Sequence, residues 1–208
     1  EDFITGRSYC PACNTKLTAR DLIPILSFAF NKGQCRHCNE SISWQYPIIE
    51  GITALLYLSI YIKFGFTITT LKYLILISTL IVISLIDYRY KIIPNKIVYP
   101  MMAISLLFTP NIEMVIISFI SFLILALLFG NKMGMGDIKL LFMLSLYVGL
   151  KNTFMILFLA SLIGTIIYFL LMIFEKISSK AKIPFAPLLS IGTLIVIFFN
   201  DLIWNFFT

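Results

Sequence analysis

Charged residues are scarce in this sequence, and most of its length is apolar. Only 12% of the 208 residues are Asp, Glu, Lys or Arg, whereas 60% are hydrophobic. A soluble domain is about one quarter charged and about one half apolar, so this composition excludes a soluble protein for most of the chain. We therefore predict an all-α polytopic membrane protein, in which segment 1–46 is the main part left outside the bilayer.

Histidine is almost absent as well. The single histidine, His37, lies between Cys35 and Cys38. Serine and cysteine peptidase triads need a histidine base, and histidine-based zinc peptidases need at least two histidine ligands. Both classes of peptidase are therefore excluded, and a local role for His37 beside the cysteines is favoured.

Seven apolar runs are candidates for membrane-spanning helices, each judged against the roughly 20 residues that cross a bilayer. The third and fifth runs are short, so they either borrow flanking residues or are partly sheltered by neighbouring helices. We predict a domain of residues 47–208 that contains all seven runs. The runs are 47–64, 71–86, 97–108, 114–129, 138–150, 154–174 and 185–207.

The basic residues are distributed unevenly between alternate loops, and this predicts the orientation. If segment 1–46 is cytoplasmic, only Lys63, Lys72 and Lys151 of the 16 lysines and arginines fall on the outer side. The positive-inside rule therefore favours a cytoplasmic cysteine segment. The net charge of +6 is explained by topology and anionic lipid, and we predict no nucleic-acid partner. The inner residues are Arg7, Lys16, Arg20, Lys32, Arg36, Arg89, Lys91, Lys96, Lys132, Lys139, Lys176, Lys180 and Lys182.

All four cysteines lie in segment 1–46, in two CxxC pairs separated by 21 residues. Two such turns bring four thiolates to one point, which is typical of a structural zinc site. The alternative is a pair of disulfides, which a reducing cytoplasm disfavours. We predict a small cytoplasmic four-cysteine zinc module over residues 1–46, with Zn²⁺ bound by Cys10, Cys13, Cys35 and Cys38.

Two aspartates lie at the ends of apolar runs that otherwise exclude acid. They are Asp87, in the sequence LIDYR, and Asp137, in GMGDIK. An ionisable group at the edge of a membrane span is costly and indicates a functional site. The predicted topology brings both to the cytoplasmic face, where a pair of carboxyls can act as general acid and general base. Capping of a helix end, or pairing with Arg89 or Lys91, would explain the aspartates without catalysis.

The residues beside Asp137 support the interpretation of a catalytic loop. Gly134 and Gly136 lack side chains, so another backbone, such as an extended substrate, can approach closely. Lys139 is a further candidate for support of this loop, although its position two residues beyond Asp137 on a helix favours a contact with lipid phosphate.

The order of these motifs resembles that of type IV prepilin peptidases over essentially the whole chain. The motifs are the tandem CxxC module, Asp87 with the following Ile-Pro-Asn, the GMGDIKL segment and the late Pro184-Phe185-Ala186-Pro187. The chain looks most like the competence-pilin processing enzymes of Gram-positive bacteria. Members normally carry eight helices, and we expect the first of these, as well as the natural start, to lie upstream of Glu1.

The resemblance implies a GxGD-type intramembrane aspartic peptidase of the bacterial plasma membrane, with Asp87 and Asp137 as catalytic residues. Its substrates would be prepilins or pseudopilins, whose short basic leader is removed during pilus assembly, secretion or competence. It also implies N-methylation of the new amino terminus with S-adenosylmethionine, although the sequence contains no dinucleotide-type glycine motif. Glu50, near the start of the first span, is a candidate residue for that second activity, and pairing with a loop is its alternative role.

Two other classes of function compete with the peptidase. Paired acids can relay protons or cations in a transporter, but here both lie at one predicted membrane face and no inverted repeat is evident. Alternatively, the chain could be a zinc-stapled scaffold of a secretion machine in which the aspartates only cap helices. Both alternatives predict that neutralising the aspartates causes no loss of a processed product.

Overall fold

The computed structural model describes residues 8–109, 111–130, 133–174 and 184–207. Among these residues the regular secondary structure is helical, with two isolated β-bridges near the amino terminus. The chain divides into two compact units, residues 1–59 and 60–208. Of the inner basic residues, Arg7, Lys132, Lys176, Lys180 and Lys182 lie outside the described residues.

The predicted all-α membrane fold is confirmed, and each of the seven apolar runs forms a helix over most of its length. Five helices (α2, α3, α5, α7 and α8) are long and apolar enough to cross a membrane. The helices are α1 (Leu26–Phe30), α2 (Gln45–Phe64), α3 (Ile68–Tyr90), α4 (Asn95–Ser105), α5 (Ile112–Phe129), α6 (Met135–Val148), α7 (Leu150–Ile173) and α8 (Ala186–Phe207), with 3-10 turns at Ala19–Leu22 and Leu106–Phe108.

The other two helices formed by apolar runs, α4 and α6, are short, as predicted. Helix α6 has 14 residues, which corresponds to about 21 Å, whereas the hydrocarbon core is about 30 Å thick. It packs against α4, α5 and α7, and Leu140, Leu141 and Leu144 are completely buried. The Tyr147 hydroxyl donates a hydrogen bond to the carbonyl of Met101 in α4 (3.3 Å). Shelter by neighbouring helices therefore explains how α6 is accommodated.

Helix α8 bends near its carboxyl end, and a lysine from α2 stabilises the bend. Phe199 has non-helical backbone angles (φ −118°, ψ 20°) inside α8. The Nζ atom of Lys63 donates hydrogen bonds to the carbonyls of Ile197 (3.0 Å) and Phe198 (2.6 Å). A break in a helix leaves carbonyls without their usual partners, which is costly in an apolar surrounding. The ammonium group supplies those partners.

Candidate active site and metal centre

Asp87 lies in the last turn of α3, where the end of the helix is sharply defined. Lys91 adopts a left-handed conformation (φ 55°), and its backbone N–H donates to the carbonyl of Asp87 (2.8 Å). Pro94 then precedes the first residue of α4. The side chain of Asp87 is only 6% exposed, so the structure buries an ionisable group at the end of an apolar helix.

The carboxylate of Asp87 contacts the start of α8. Its Oδ2 atom accepts a hydrogen bond from the backbone N–H of Ala186 at 2.9 Å. Ala186 is the first residue of α8 and is completely buried. The first N–H groups of a helix have no partner within it and form its positive end. Sequence reasoning identified the Pro184–Pro187 motif only as part of a family resemblance and did not find this contact.

Asp137 lies in the first turn of α6. Its backbone N–H donates to the carbonyl of Gly134, the residue before the helix (3.0 Å). A Cβ atom built on Gly134 would lie 3.0 Å from the Oδ2 atom of Asp137. The absence of a side chain at Gly134 therefore leaves room for the carboxylate of Asp137 beside the start of α6.

Gly136 brings the start of α6 against the segment that follows α3. A Cβ atom built on Gly136 would lie 3.1 Å from the Cβ atom of Ile93, which is tighter than an ordinary van der Waals contact. In this structure the close approach that Gly136 permits is therefore that of Ile93. This packing places the end of α3, which carries Asp87, beside the start of α6, which carries Asp137.

Lys139 points toward α4 in this structure. Its Nζ atom donates to the Oδ1 atom of Asn95 (3.2 Å) and lies 5.3 Å from the centre of the Tyr99 ring. Since Asn95 is the first residue of α4, Lys139 links the beginnings of α4 and α6.

The two CxxC motifs form hairpins with the same backbone pattern. In each, the N–H of the first cysteine donates to the carbonyl five residues later, at Thr15 (3.0 Å) and Glu40 (2.8 Å). In each, the residue after the second cysteine is an asparagine with positive φ, 54° at Asn14 and 59° at Asn39. Asparagine tolerates this left-handed conformation better than most residues. The repeated turn therefore follows from the local sequence.

The four cysteine sulfur atoms converge on one point. All four lie within 4.8 Å of one another, and the sulfurs of Cys10 and Cys38 are 3.8 Å apart. A tetrahedral Zn²⁺ with bonds of about 2.3 Å separates its sulfur ligands by about 3.8 Å. All four cysteines are free thiols, so the disulfide alternative is not observed. The geometry and chemistry of the four thiols fit a metal ion.

Local hydrogen bonds prepare part of this cluster for metal binding. The Thr15 hydroxyl, 3.2 Å from the sulfur of Cys13, lowers the pKa of that thiol to about 6. Backbone N–H groups two and three residues further along the chain lower the pKa of the Cys35 thiol. At Cys38 a backbone hydrogen bond from Glu40 lowers the pKa, but burial and the other thiols outweigh it and raise the pKa to about 12. A bound cation would favour the thiolate form of all four.

Glu50 is engaged within the amino-terminal unit. Its Oε2 atom accepts a hydrogen bond from the backbone N–H of Ile25 (2.8 Å). Ile25 has a positive φ of 61° immediately before α1, a conformation that is unfavourable for a β-branched residue. The contact corresponds to the loop-paired role considered for Glu50 and fixes the segment before α1 on the first turns of α2.

Fold and sites together define a polytopic helical membrane protein with two aspartates at neighbouring helix ends and four clustered cysteines that could hold a metal ion. Residues 1–64 match the Bacterial Peptidase A24 N-terminal domain, and residues 74–169 match the Type IV leader peptidase family. The chain belongs to this family, and the resemblance inferred from the motifs is thereby confirmed.

Curated relatives match almost the whole chain. It is 31% identical over 213 residues to the prepilin leader peptidase/N-methyltransferase of Bacillus subtilis (strain 168), covering 98% of this chain and 86% of that protein. It is 33% identical over 220 residues to the protein of the same name from Aeromonas salmonicida (strain A449), covering 99% and 76%. The corresponding protein of Legionella pneumophila is 32% identical over 218 residues, covering 97% and 75%. No solved structure shows a significant match.

Proposed function

We propose that this protein is a prepilin leader peptidase, which cleaves the short basic leader from type IV prepilin-like precursors such as competence pseudopilins. The observation that carries the proposal is the placement of two carboxyls, Asp87 at the end of α3 and Asp137 at the start of α6, on segments that the contact of Gly136 with Ile93 brings together. Membership of the type IV leader peptidase family and the names of its relatives supply the substrate class.

The proposed chemistry requires only the two carboxyl groups and water. Two carboxyls in close proximity do not both ionise readily, so the pair shares one proton. The ionised member removes a proton from water, which attacks the scissile carbonyl carbon. The neutral member hydrogen-bonds the carbonyl oxygen, and the tetrahedral intermediate breaks when the carboxyl that took the proton from water passes it to the leaving amine. Asp87 enters this reaction with one oxygen held by Ala186.

The site of cleavage follows from the charge distribution. We place the aspartate pair and the cysteine module on the cytoplasmic side of the plasma membrane, because the basic residues concentrate in the loops predicted to be cytoplasmic. A prepilin has a short basic leader followed by an apolar helix. The leader would lie at the inner face, the apolar helix would lie among the lipids, and the bond between them would reach the aspartates.

The metal in the cysteine module is proposed to be a structural Zn²⁺ held by Cys10, Cys13, Cys35 and Cys38. Four thiolates complete a tetrahedral shell and leave no position for water or substrate. The ion would therefore stabilise a unit with a small core of its own. We propose residues 1–46 as this module and residues 47–208 as the peptidase domain.

A second activity, N-methylation of the new pilin amino terminus, is proposed from the name of the relatives, prepilin leader peptidase/N-methyltransferase. S-adenosylmethionine would supply the methyl group. Glu50 is the candidate residue for this activity, although its carboxylate is already bonded to Ile25 in this structure. Mass spectrometry of the released pilin separates the two activities, since methylation adds the mass of one methyl group to the cleaved product.

The test of the peptidase proposal is cleavage by the purified protein in lipid vesicles. A prepilin with an intact leader is added, and mass spectrometry identifies the bond that is cut. The proposal predicts a single cut between the basic leader and the apolar helix. The transporter and scaffold alternatives predict uncleaved prepilin, and that result would overturn the proposal.

A further inference from the structure

A pair of serines connects α3 to α8 one turn away from the aspartate contact. The Oγ atoms of Ser84 and Ser190 are 2.7 Å apart. Ser84 precedes Asp87 by three residues in α3, and Ser190 follows Ala186 by four residues in α8. Residues at these spacings lie on the same face of a helix. The two helices are therefore joined at two successive levels, Asp87 to Ala186 and Ser84 to Ser190.

The directions of the hydrogen bonds make one continuous chain. The hydroxyl of Ser190 donates to the carbonyl of Ala186 (2.8 Å), and a serine has only one hydroxyl proton. Both hydrogen bonds therefore form together only when Ser84 donates to Ser190. Ala186 is thus held from both sides, since its N–H donates to Asp87 and its carbonyl accepts from Ser190.

This arrangement controls the orientation of the Asp87 carboxyl group. When one oxygen of a carboxylate is hydrogen-bonded to a donor that does not move, the plane of the carboxylate is fixed. The direction of its other oxygen is then fixed as well. The fixed donor here is the first residue of α8, and the next residue, Pro187, has no N–H to offer. The distance of the first turn of α8 from α3 therefore decides whether the Asp87 carboxylate keeps its hydrogen bond to Ala186. Displacements of about 1 Å in a catalytic group can cost about 100-fold in rate.

We propose that Ser84 and Ser190 are positioning residues for the peptidase reaction. They hold the first turn of α8 against α3 so that the N–H of Ala186 fixes Oδ2 of Asp87 and leaves its other oxygen for the proton shared with Asp137. Neither serine contacts the substrate. The inference rests on the proposed function, and it assigns a role to the Pro184–Pro187 motif, which delivers Ala186 to this contact.

The experiment measures kcat and KM for prepilin cleavage by Ser84→Ala, Ser190→Ala and the double variant. Ser161→Ala is the matched control, because Ser161 lies in α7 and its hydroxyl donates to the carbonyl of Leu157 in its own helix. We expect kcat to fall about 10- to 100-fold in either single variant, with KM and the melting temperature close to those of wild type. The fall in kcat of the double variant should be no larger than that of the more impaired single variant, because both serines act through the same chain of hydrogen bonds.

Ser84→Thr and Ser190→Thr complete the test, since threonine retains the hydroxyl group. At least one of them should recover most of the lost kcat. The inference is overturned if both alanine variants have the same kcat as Ser161→Ala. It is also overturned if their loss of activity only follows a lower melting temperature. A wild-type protein that does not cleave would instead overturn the proposed function, and this outcome is distinct from normal cleavage by the serine variants.

Discussion

Gly136 in α6 lies directly against Ile93 in the segment after α3, with only 3.1 Å between the Cβ atom of Ile93 and the place a Cβ would take on Gly136. Both residues are close to the aspartates in the sequence, since Gly136 precedes Asp137 and Ile93 lies six residues after Asp87. Their contact therefore sets how closely the end of α3 and the start of α6 approach. The glycine is required by the packing of the protein itself.

Gly136→Ala should impair cleavage by separating these two segments. The added methyl group has no room beside Ile93, so the start of α6 must shift by a few tenths of an ångström or more. We expect kcat to fall about 10- to 100-fold. Gly51→Ala is the control, because a Cβ on this glycine of α2 would come no closer than 3.8 Å to its surroundings. Equal activity in the two variants would contradict this account of the GxGD glycine.

Lys63→Met should destabilise the carboxyl-terminal half of α8. The change leaves the carbonyls of Ile197 and Phe198 without their ammonium donor at the bend. We expect a loss of about 1 kcal/mol, measured as a lower midpoint of unfolding in a mild detergent. Lys72→Met removes a comparable lysine that lies over the Tyr73 ring and should have a smaller effect. A larger loss in the control would argue against a role for Lys63 at the bend.

Removal of one cysteine should abolish metal binding by the amino-terminal unit. We expect wild-type protein to contain one zinc ion per chain and Cys10→Ser to contain none, because a tetrahedral site needs all four thiolates. Hydrogen exchange over residues 8–42 should become faster at the same time.

His37→Ala is the matched control for the metal site, since His37 lies inside the second CxxC motif but is exposed and not among the clustered ligands. It should retain the metal. Metal analysis that finds zinc in Cys10→Ser, or none in His37→Ala, would require a different set of ligands.

Glu50→Gln should retain both the fold of the amino-terminal unit and leader cleavage. Glutamine still offers a side-chain oxygen to the N–H of Ile25, whereas Glu50→Ala does not and should cost about 0.5–1.5 kcal/mol. Methylation is measured on the same samples by mass spectrometry. Loss of the methyl group in Glu50→Gln with cleavage intact would assign the carboxylate to methyl transfer rather than to the Ile25 contact alone.

The helices could be predicted from the sequence because each depends on a continuous apolar run. The predicted run 71–86 became α3 (Ile68–Tyr90), and the structure extends it to Thr67, whose side chain accepts the N–H of Thr70. The shortness of the runs that became α4 and α6 was also evident. Length and hydropathy are local properties, so one sequence is sufficient to read them.

The contacts that shape the site depend on residues far apart in the chain, and the sequence offered no signal for most of them. Asp87 and Ala186 are 99 residues apart, and Ser84 and Ser190 are 106 apart. Nothing in the local pattern around either serine distinguishes it from a serine bonded to its own helix. The sequence indicated that another backbone could approach Gly136 closely. That the residue beside it is Ile93 is known only from the tertiary packing.

The most direct test of the central claim compares prepilin cleavage by Asp87→Asn and Asp137→Asn with that by Asp201→Asn. Asp201 is an exposed acid near the end of α8, so its variant controls for the loss of one negative charge. If Asp87 and Asp137 share the catalytic proton, each of their Asn variants should lose at least about 100-fold in kcat while remaining folded in the membrane, and Asp201→Asn should cleave normally. Cleavage at the wild-type rate by either Asp87→Asn or Asp137→Asn would contradict the account.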